Sequence, residues 1–377
     1  MVDSVVKLFT SLKLTVVCLA LAMVLVFLGT MAQVDLGIHA AQQKYFQTLF
    51  VYWTLGNGGW RIPVFPGGHL IGGVLLINLV VAHIYRFEFR WTKSGIMLLH
   101  LGIFLLLLGG LFTELLSIES QMRLHEGETK NYSESLNTIE LIIVDASRPD
   151  LDEVISIPDG RLARNQIIRH PRLPFQVNVV NFFPNSILSH RKDGTPSIVT
   201  QGVGRGLTVT EMPRATKINE GDAPSVILEV VGVAGPPDTW LCSTELGRQA
   251  FRYQDKQYEL QLRQKRHYKP YSIKLLHFAH DRYDGTDIPR NFSSKIHLRN
   301  SGKNDDREVL IYMNNPLRYE GETYFQAGFE KDNKTSVLQV VHNPAWITPY
   351  LACSLVALGL VIQFSIHLFK FAGRKKS

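Results

Sequence analysis

The chain is 377 residues long and 45% hydrophobic, with 40 Lys and Arg against 33 Asp and Glu, a formal net charge of +7. Residues 117–345 hold 29 basic and 29 acidic side chains, so the surplus lies in the apolar flanks, and no basic domain exists to neutralise nucleic-acid phosphates. Three cysteines, Cys18, Cys242 and Cys353, with no CxxC or CxxCH, leave the central block without an internal disulfide and exclude a thiol oxidoreductase and a c-type cytochrome.

Four nearly pure apolar stretches, Leu12 to Met31, Gly67 to Tyr85, Gly95 to Leu116 and Trp346 to Phe369, each approach the roughly 20 residues a helix needs to cross a bilayer. The first exceeds the usual apolar core of a cleavable signal, and no small-x-small site follows, so a retained span is expected. The aromatic loop IHAAQQKYFQTLFVYW (Ile38 to Trp53) predicts a helix lying in the outer interface. Pro66 to Gly68 is a helix-start signal, and Gly72 and Gly73 are expected to permit close helix approach. The connection RFEFRWTK (Arg86 to Lys93) has room only for a tight hairpin, which makes spans two and three neighbours.

The polar block between spans three and four reads as mostly β. FQVNVVNF (Phe175 to Phe182), PSIVTQGV (Pro196 to Val203), SVILEVVGV (Ser225 to Val233), YELQLRQ (Tyr258 to Gln264), YSIKLLHF (Tyr271 to Phe278) and SVLQVVHN (Ser336 to Asn343) are bounded by turn residues, and several alternate apolar with polar. A sandwich- or barrel-like domain follows. Lys7, Lys13, Arg86, Arg90, Lys93, Lys370, Arg374, Lys375 and Lys376 flank one side of the spans, while the first loop holds only Lys44 and Arg61. The positive-inside rule then puts both termini in the cytoplasm and the large block outside. The expected fold is four transmembrane helices with a large mostly-β domain inserted between helices three and four: residues 1–116, 117–345 and 346–377.

His83, His100 and His367 lie inside spans. An imidazole in hydrocarbon is costly without a partner and marks a pathway, ligand or cofactor. His83 and His367 each stand three residues from a basic anchor, about 5 Å of rise, and His100 stands seven from Lys93, about 10 Å. All three belong to the inner leaflet. Haem iron is commonly held by axial histidine, and a flat macrocycle fits between packed helices. Each histidine alone is equally well read as a hydrogen-bonding helix residue; together they favour function. On that view the aromatic loop could border a haem or lipid site. Gly359, Gln363 and His367 share a helix face, expected to meet protein rather than lipid, and His69 is expected to be interfacial. The outer histidines show no zinc-type spacing, and GVGRG (Gly202 to Gly206) reads as a turn.

YKPYSIKLLHFAHDRYDGTDIPRNFSSKIHL (Tyr268 to Leu298), NNPLRYEGETYFQAGF (Asn314 to Phe329) and NPAWITPYLACSLVALGLVIQF (Asn343 to Phe364) resemble the C-terminal half of the ResB/CcsB family. SLKLTVVCLALAMVLVFLGTMAQ (Ser11 to Gln33) and HLGIFLLLLGGL (His100 to Leu111) resemble its membrane portion. The run through NPLRYEG and YFQAGF is the most specific part, and residues 149–239 are the least recognisable. The resemblance implies a bacterial inner-membrane component of System II cytochrome c maturation. It works with a ResC/CcsA-like subunit to relay haem outward and present it to apocytochrome c. The tryptophan-rich WxWD motif belongs to that partner and is absent here. The resemblance also implies a membrane histidine as a haem-iron ligand, assigned to His83 first, His100 second and His367 third. No catalytic residue is expected in this chain, whose role is that of a carrier or chaperone component. Two other classes remain: an electron-transferring membrane subunit with a resident haem b, and a non-catalytic anchor or assembly factor.

Overall fold

The computed structural model describes residues 2–55, 60–86, 90–148, 151–191, 197–215, 221–232, 238–282, 285, 289–330 and 332–374. Lys375 and Lys376 of the basic tail, Phe87 to Phe89 of the expected hairpin connection and Pro196 of one expected strand lie outside the described residues. The chain divides into two compact units, Met1–Ser117 with Asn343–Ser377 and Ile118–Ala215 with Gly221–His342.

The first unit contains α1 (Val2–Phe9), α2 (Leu12–Ala41), β1 (Phe50–Leu55), β2 (Trp60–Pro66), α3 (Gly68–Arg86), α4 (Ser94–Leu116) and α5 (Thr348–Arg374). Within these helices Leu12–Ile38, Gly68–Tyr85, Trp91–Leu116 and Thr348–Ala372 are long and apolar enough to cross a membrane. Many of their large apolar side chains face outward, Phe364, Met23 and Leu115 among them, as suits helices that have lipid for solvent.

Glycine decides which helices touch. Gly95, Gly102 and Gly109 recur every seven residues on α4 and face α5. A Cβ on Gly95 would lie 2.7 Å from the carbonyl oxygen of Gly359, and one on Gly102 would lie 2.8 Å from that of Ala352 and 2.6 Å from Val356 Cγ2. With no side chain at these points the backbones approach closely, which gives the two helices dispersion contact that lipid tails would otherwise supply. The expected role of Gly72 and Gly73 is not realised: a Cβ on either meets nothing within 4 Å. The productive signal was the seven-residue glycine spacing on α4 together with Gly359.

Between α2 and α3 an apolar cluster around Cys18, Leu25 and Ile71 is joined by a polar tie. Asn78, buried in α3, donates to the carbonyls of Phe9 (2.6 Å) and Ser11 (3.4 Å) where the chain breaks between α1 and α2, and accepts from Thr15 Oγ1 (2.7 Å). The aromatic loop also departs from expectation. Helix α2 runs on to Ala41 through a bend at Gly37 (φ 75°) and a π-helical turn follows over Gln42–Phe46, so the first part of the expected helix is realised; from Phe50 the aromatics instead form an antiparallel β1–β2 hairpin. Val51 and Phe65 pair in that hairpin and pack on α2 and α3, while Trp53 and Trp60 are exposed. Alternating FVYWTL and WRIPVFP favours a strand once neighbours cover one face, a preference the aromatic density concealed.

The second unit is built from β3 (Ile118–His125), β4 (Thr129–Asp145), β5 (Glu153–Pro158), β6 (Ile167–Ile168), β7 (Gln176–Phe183), β8 (Ser186–His190), β9 (Leu207–Glu211), β10 (Ser225–Val231), β11 (Asp238–Ser243), β12 (Gln249–Tyr253), β13 (Lys256–Arg282), β14 (Pro289–Asn300), β15 (Asp305–Tyr312), β16 (Leu317–Tyr319), β17 (Glu322–Phe329) and β18 (Thr335–His342). One sheet runs β11-β10-β7-β6, and a larger one runs β15-β14-β13-β4-β3-β18-β17-β16 with β5 and β12 attached. The runs expected as two strands, Tyr258 to Gln264 and Tyr271 to Phe278, form parts of the single long strand β13. Ser197 to Val203, expected as a strand, is irregular and leads into a 3₁₀ turn over Val203–Gly206.

Two cores follow from period-two burial. Ile139, Leu141 and Ile143 face Val177, Val179, Val226, Leu228 and Val230, with Tyr258, Leu260 and Leu262 completing the layer. Further along β13, Tyr271, Ile273, Leu275 and Phe278 join Met122, Leu124, Ile296, Leu298, Tyr324, Leu338 and Val340. A register shift between Leu275 and His277 moves the inward phase from odd to even positions, as an extra bulged residue must.

Candidate functional site

Of the three span histidines, the structure brings two together. His83, near the end of α3, and His100, near the start of α4, meet with ring centroids 4.8 Å apart and planes at 73°. Nδ1 of His83 lies 3.0 Å from the carbonyl oxygen of Leu79. A carbonyl only accepts, so Nδ1 carries the proton in the neutral ring and Nε2 keeps the lone pair. That arrangement is the one that orients a histidine for metal ligation. Nδ1 of His100 is buried without a well-formed hydrogen bond among the described residues. His100 lies five residues past Gly95, about 140° around the helix, so α4 turns one face to α5 and another to α3.

His367 lies elsewhere. It lines a cleft of about 340 Å³ with Gln363, Leu99, Leu360, Phe364, Leu368 and Phe371, and its Nε2 is 2.9 Å from Gln363 Nε2. The shared face of Gly359, Gln363 and His367 is partly realised: Gly359 and Gln363 abut Gly95 of α4, whereas His367 is exposed. His69 does find a partner, Glu114 of α4, with Nε2 and Oε1 2.9 Å apart. The sequence offered a signal for that pairing, since Glu114 is the lone acidic residue among the apolar side chains of its span.

The second unit contains no group of three or more metal-ligating side chains among its described residues. His277 bonds Glu126 (2.8 Å) and His125 bonds Asp332 (3.2 Å), both at the surface. Cys242 is buried, and burial pushes its thiol up to about 12, so it is not a nucleophile at neutral pH. The resemblance-bearing residues build structure. Asn314 (φ 63°), Glu320 (φ 50°) and Gly321 (φ 76°) make turns, and Gln326 bonds Ser294 (2.6 Å) and the Gly328 carbonyl (3.0 Å).

Beside them, Glu322 pairs with Lys269 and accepts from Tyr271 (2.8 Å) and Tyr324 (2.9 Å), whose hydroxyls are 2.7 Å apart. Burial is the largest influence on Glu322 and pushes its pKa up, but Lys269 and the two hydroxyls together outweigh it and hold the carboxyl below its ordinary value. Tyr319 stands edge-on to Tyr271 at 4.9 Å. The KPY of β13 and the YEGETY of β16–β17 are therefore one buried polar network, satisfied within itself.

Comparison with known proteins agrees with these elements. The chain is 25% identical over 307 residues to Protein NrfI of Wolinella succinogenes, an alignment that covers 77% of this chain and 29% of that protein. The chain therefore matches less than a third of its relative's length. Residues 244–337 match the model of the ResB-like family, a segment that runs from β12 into β18 and holds the Glu322 network. This chain thus carries a ResB-like region, in the part of the sequence where the resemblance is most specific.

Proposed function

We infer that this chain is a cytochrome c biogenesis component which, with a ResC/CcsA-like membrane subunit, relays haem across the bacterial inner membrane and helps present it to apocytochrome c. In this reading both termini are cytoplasmic, the β-rich domain is inserted between the third and fourth spans, and it stands outside, where apocytochrome is met. The ResB-like match and the four apolar helices support the general role.

The observation that carries the haem assignment is the His83–His100 contact, because two imidazoles brought together at the cytoplasmic end of one helix seam are a ligand set for a haem iron. His83 is the primary ligand, since its Nδ1 bond to Leu79 presents Nε2 as the donor to metal. Metal–imidazole bonds of about 2 Å would set two rings on opposite sides of one iron about 6 Å apart between centroids. The observed 4.8 Å is too short for that, so one ring at a time faces the cargo unless α3 and α4 separate. A ligand set that holds its cargo weakly suits a relay better than a permanent cytochrome. His367, alone in its cleft, is the third candidate.

The test is complementation in a strain lacking the protein. His83→Ala is expected to lower holocytochrome c yield at least tenfold with normal membrane levels of the variant, and His100→Ala to lower it less. Wild-type yield from both variants would refute the assignment.

A further inference from the structure

The α3–α4 seam is tied at both ends. His69 stands fourteen residues before His83 on α3, and its partner Glu114 stands fourteen residues after His100 on α4. Fourteen residues are about 21 Å of helix and return a side chain to within about 40° of the same face. Each helix therefore presents one member of both contacts along a single stripe, and the helices run antiparallel. Between the ends no glycine among the described residues locks them as α4 and α5 are locked: Gly72 and Gly73 on α3 and Gly110 on α4 have no neighbour within 4 Å of an added Cβ.

Glu114 lies in the last turn of α4 and His69 in the first turn of α3. A carboxylate at Glu114 is unfavourably placed on its own helix dipole and favourably placed at the N-terminal pole of the neighbouring α3. The bond thus stabilises the juxtaposition of α3 and α4 rather than either helix alone.

We propose that His69 and Glu114 form a clasp, a pair of positioning residues that sets the separation of His83 and His100 at the far end of the seam. The ligand half of this inference rests on the reading of His83 and His100 as haem-iron ligands; the mechanical half does not. With the clasp closed, the two rings stand too near to flank one iron, and haem is held by a single imidazole. Release lets the helices part, and the second imidazole reaches the opposite face.

Two readouts test the inference on the full chain in lipid nanodiscs. Spin labels at Ile84→Cys and Leu101→Cys, both exposed beside the two histidines and introduced after replacing the native cysteines by Ser, report the inner separation. The absorption spectrum with added haem reports one against two imidazole ligands as the ratio of high-spin to low-spin iron. His69→Leu and Glu114→Leu are each expected to lengthen and broaden the inter-label distance and to raise the low-spin ratio at least about fivefold, the lower range of coupling between sites. The exchange His69→Glu with Glu114→His is expected to restore both. An unchanged distance in both single variants, or an exchange that restores neither readout, overturns the clasp. If His83→Ala leaves the spectrum untouched while the distances respond as expected, the haem-ligand reading falls and the clasp stands.

Discussion

Replacing Glu322 by Ala should be among the most damaging single changes in the β-rich unit. The carboxylate neutralises Lys269, whose side chain is 8% exposed, and is itself 13% exposed, so truncation strands an ammonium group in a nearly dry site. Removing one partner of a buried pair costs about 3–5 kcal/mol. The tyrosine hydroxyls add little to that figure, because they stand 2.7 Å apart and, once the carboxylate is gone, one can turn to donate to the other. At about 2–4 °C per kcal/mol for a domain of this size, the melting temperature should fall by roughly 10 °C. Thermal unfolding of the detergent-solubilised full chain, followed by near-ultraviolet circular dichroism from the tyrosines, is the assay. Glu322→Gln should cost less, since its amide oxygen still accepts from the hydroxyls, and adding Lys269→Met to Glu322→Gln should recover part of the loss. A drop under 2 °C for Glu322→Ala, or additive losses in the double variant, would refute the claim that the network acts as a unit.

Gly102→Ala should loosen α4 from α5, because a Cβ 2.6 Å from Val356 and 2.8 Å from the Ala352 carbonyl forces the backbones apart at an overpacking cost of about 1–3 kcal/mol. Gly110→Ala, with open space around it, should leave the melting temperature in detergent unchanged and serves as the control. Asp145 is held down to about 2 from 3.8, chiefly by the Lys256 ammonium and then by Ser147. Its contribution to stability is therefore full above pH 3.8 and lost as pH falls through about 2, the sign expected when the folded state binds the proton less tightly than the unfolded one. Asp145→Asn should flatten that part of an acid titration followed by circular dichroism, and an identical acid limb in both proteins would contradict the assignment.

The four long apolar helices were legible because a continuous apolar run of about 20 residues is displayed directly in the sequence. The strands Gln176–Phe183, Ser225–Val231 and Thr335–His342 were legible for a comparable reason, since one covered face forces alternation. What escaped depended on tertiary company. Ser197 to Val203 was expected as a strand, yet its backbone bonds that of β11 only where Thr200 and Gln201 donate to the Thr239 carbonyl, and it forms no ladder among the described residues. The helix expected from Ile38 through Trp53 ends at Phe46 and gives way to a hairpin from Phe50, where Val51 and Phe65 find cover on α2 and α3. The sequence drew attention to the three histidines, but their depth alone could not tell that His83 and His100 meet while His367 occupies its own cleft. That distinction depends on which face of α4 turns to which neighbour, and the glycines at 95, 102 and 109 decide it. Nothing in the turn-rich stretch around Glu322 marks it out in the sequence, because Lys269 and Tyr271, which partner it, lie some fifty positions upstream.

The most direct measurement is the visible absorption spectrum of the full chain, purified from haem-replete cells and compared with His83→Gly and His100→Gly in the presence and absence of imidazole. Wild-type protein should carry a haem spectrum, His83→Gly should lose most of it and regain it with added imidazole, and His100→Gly should keep the haem. A colourless wild-type protein, or a spectrum indifferent to both substitutions, would contradict the account.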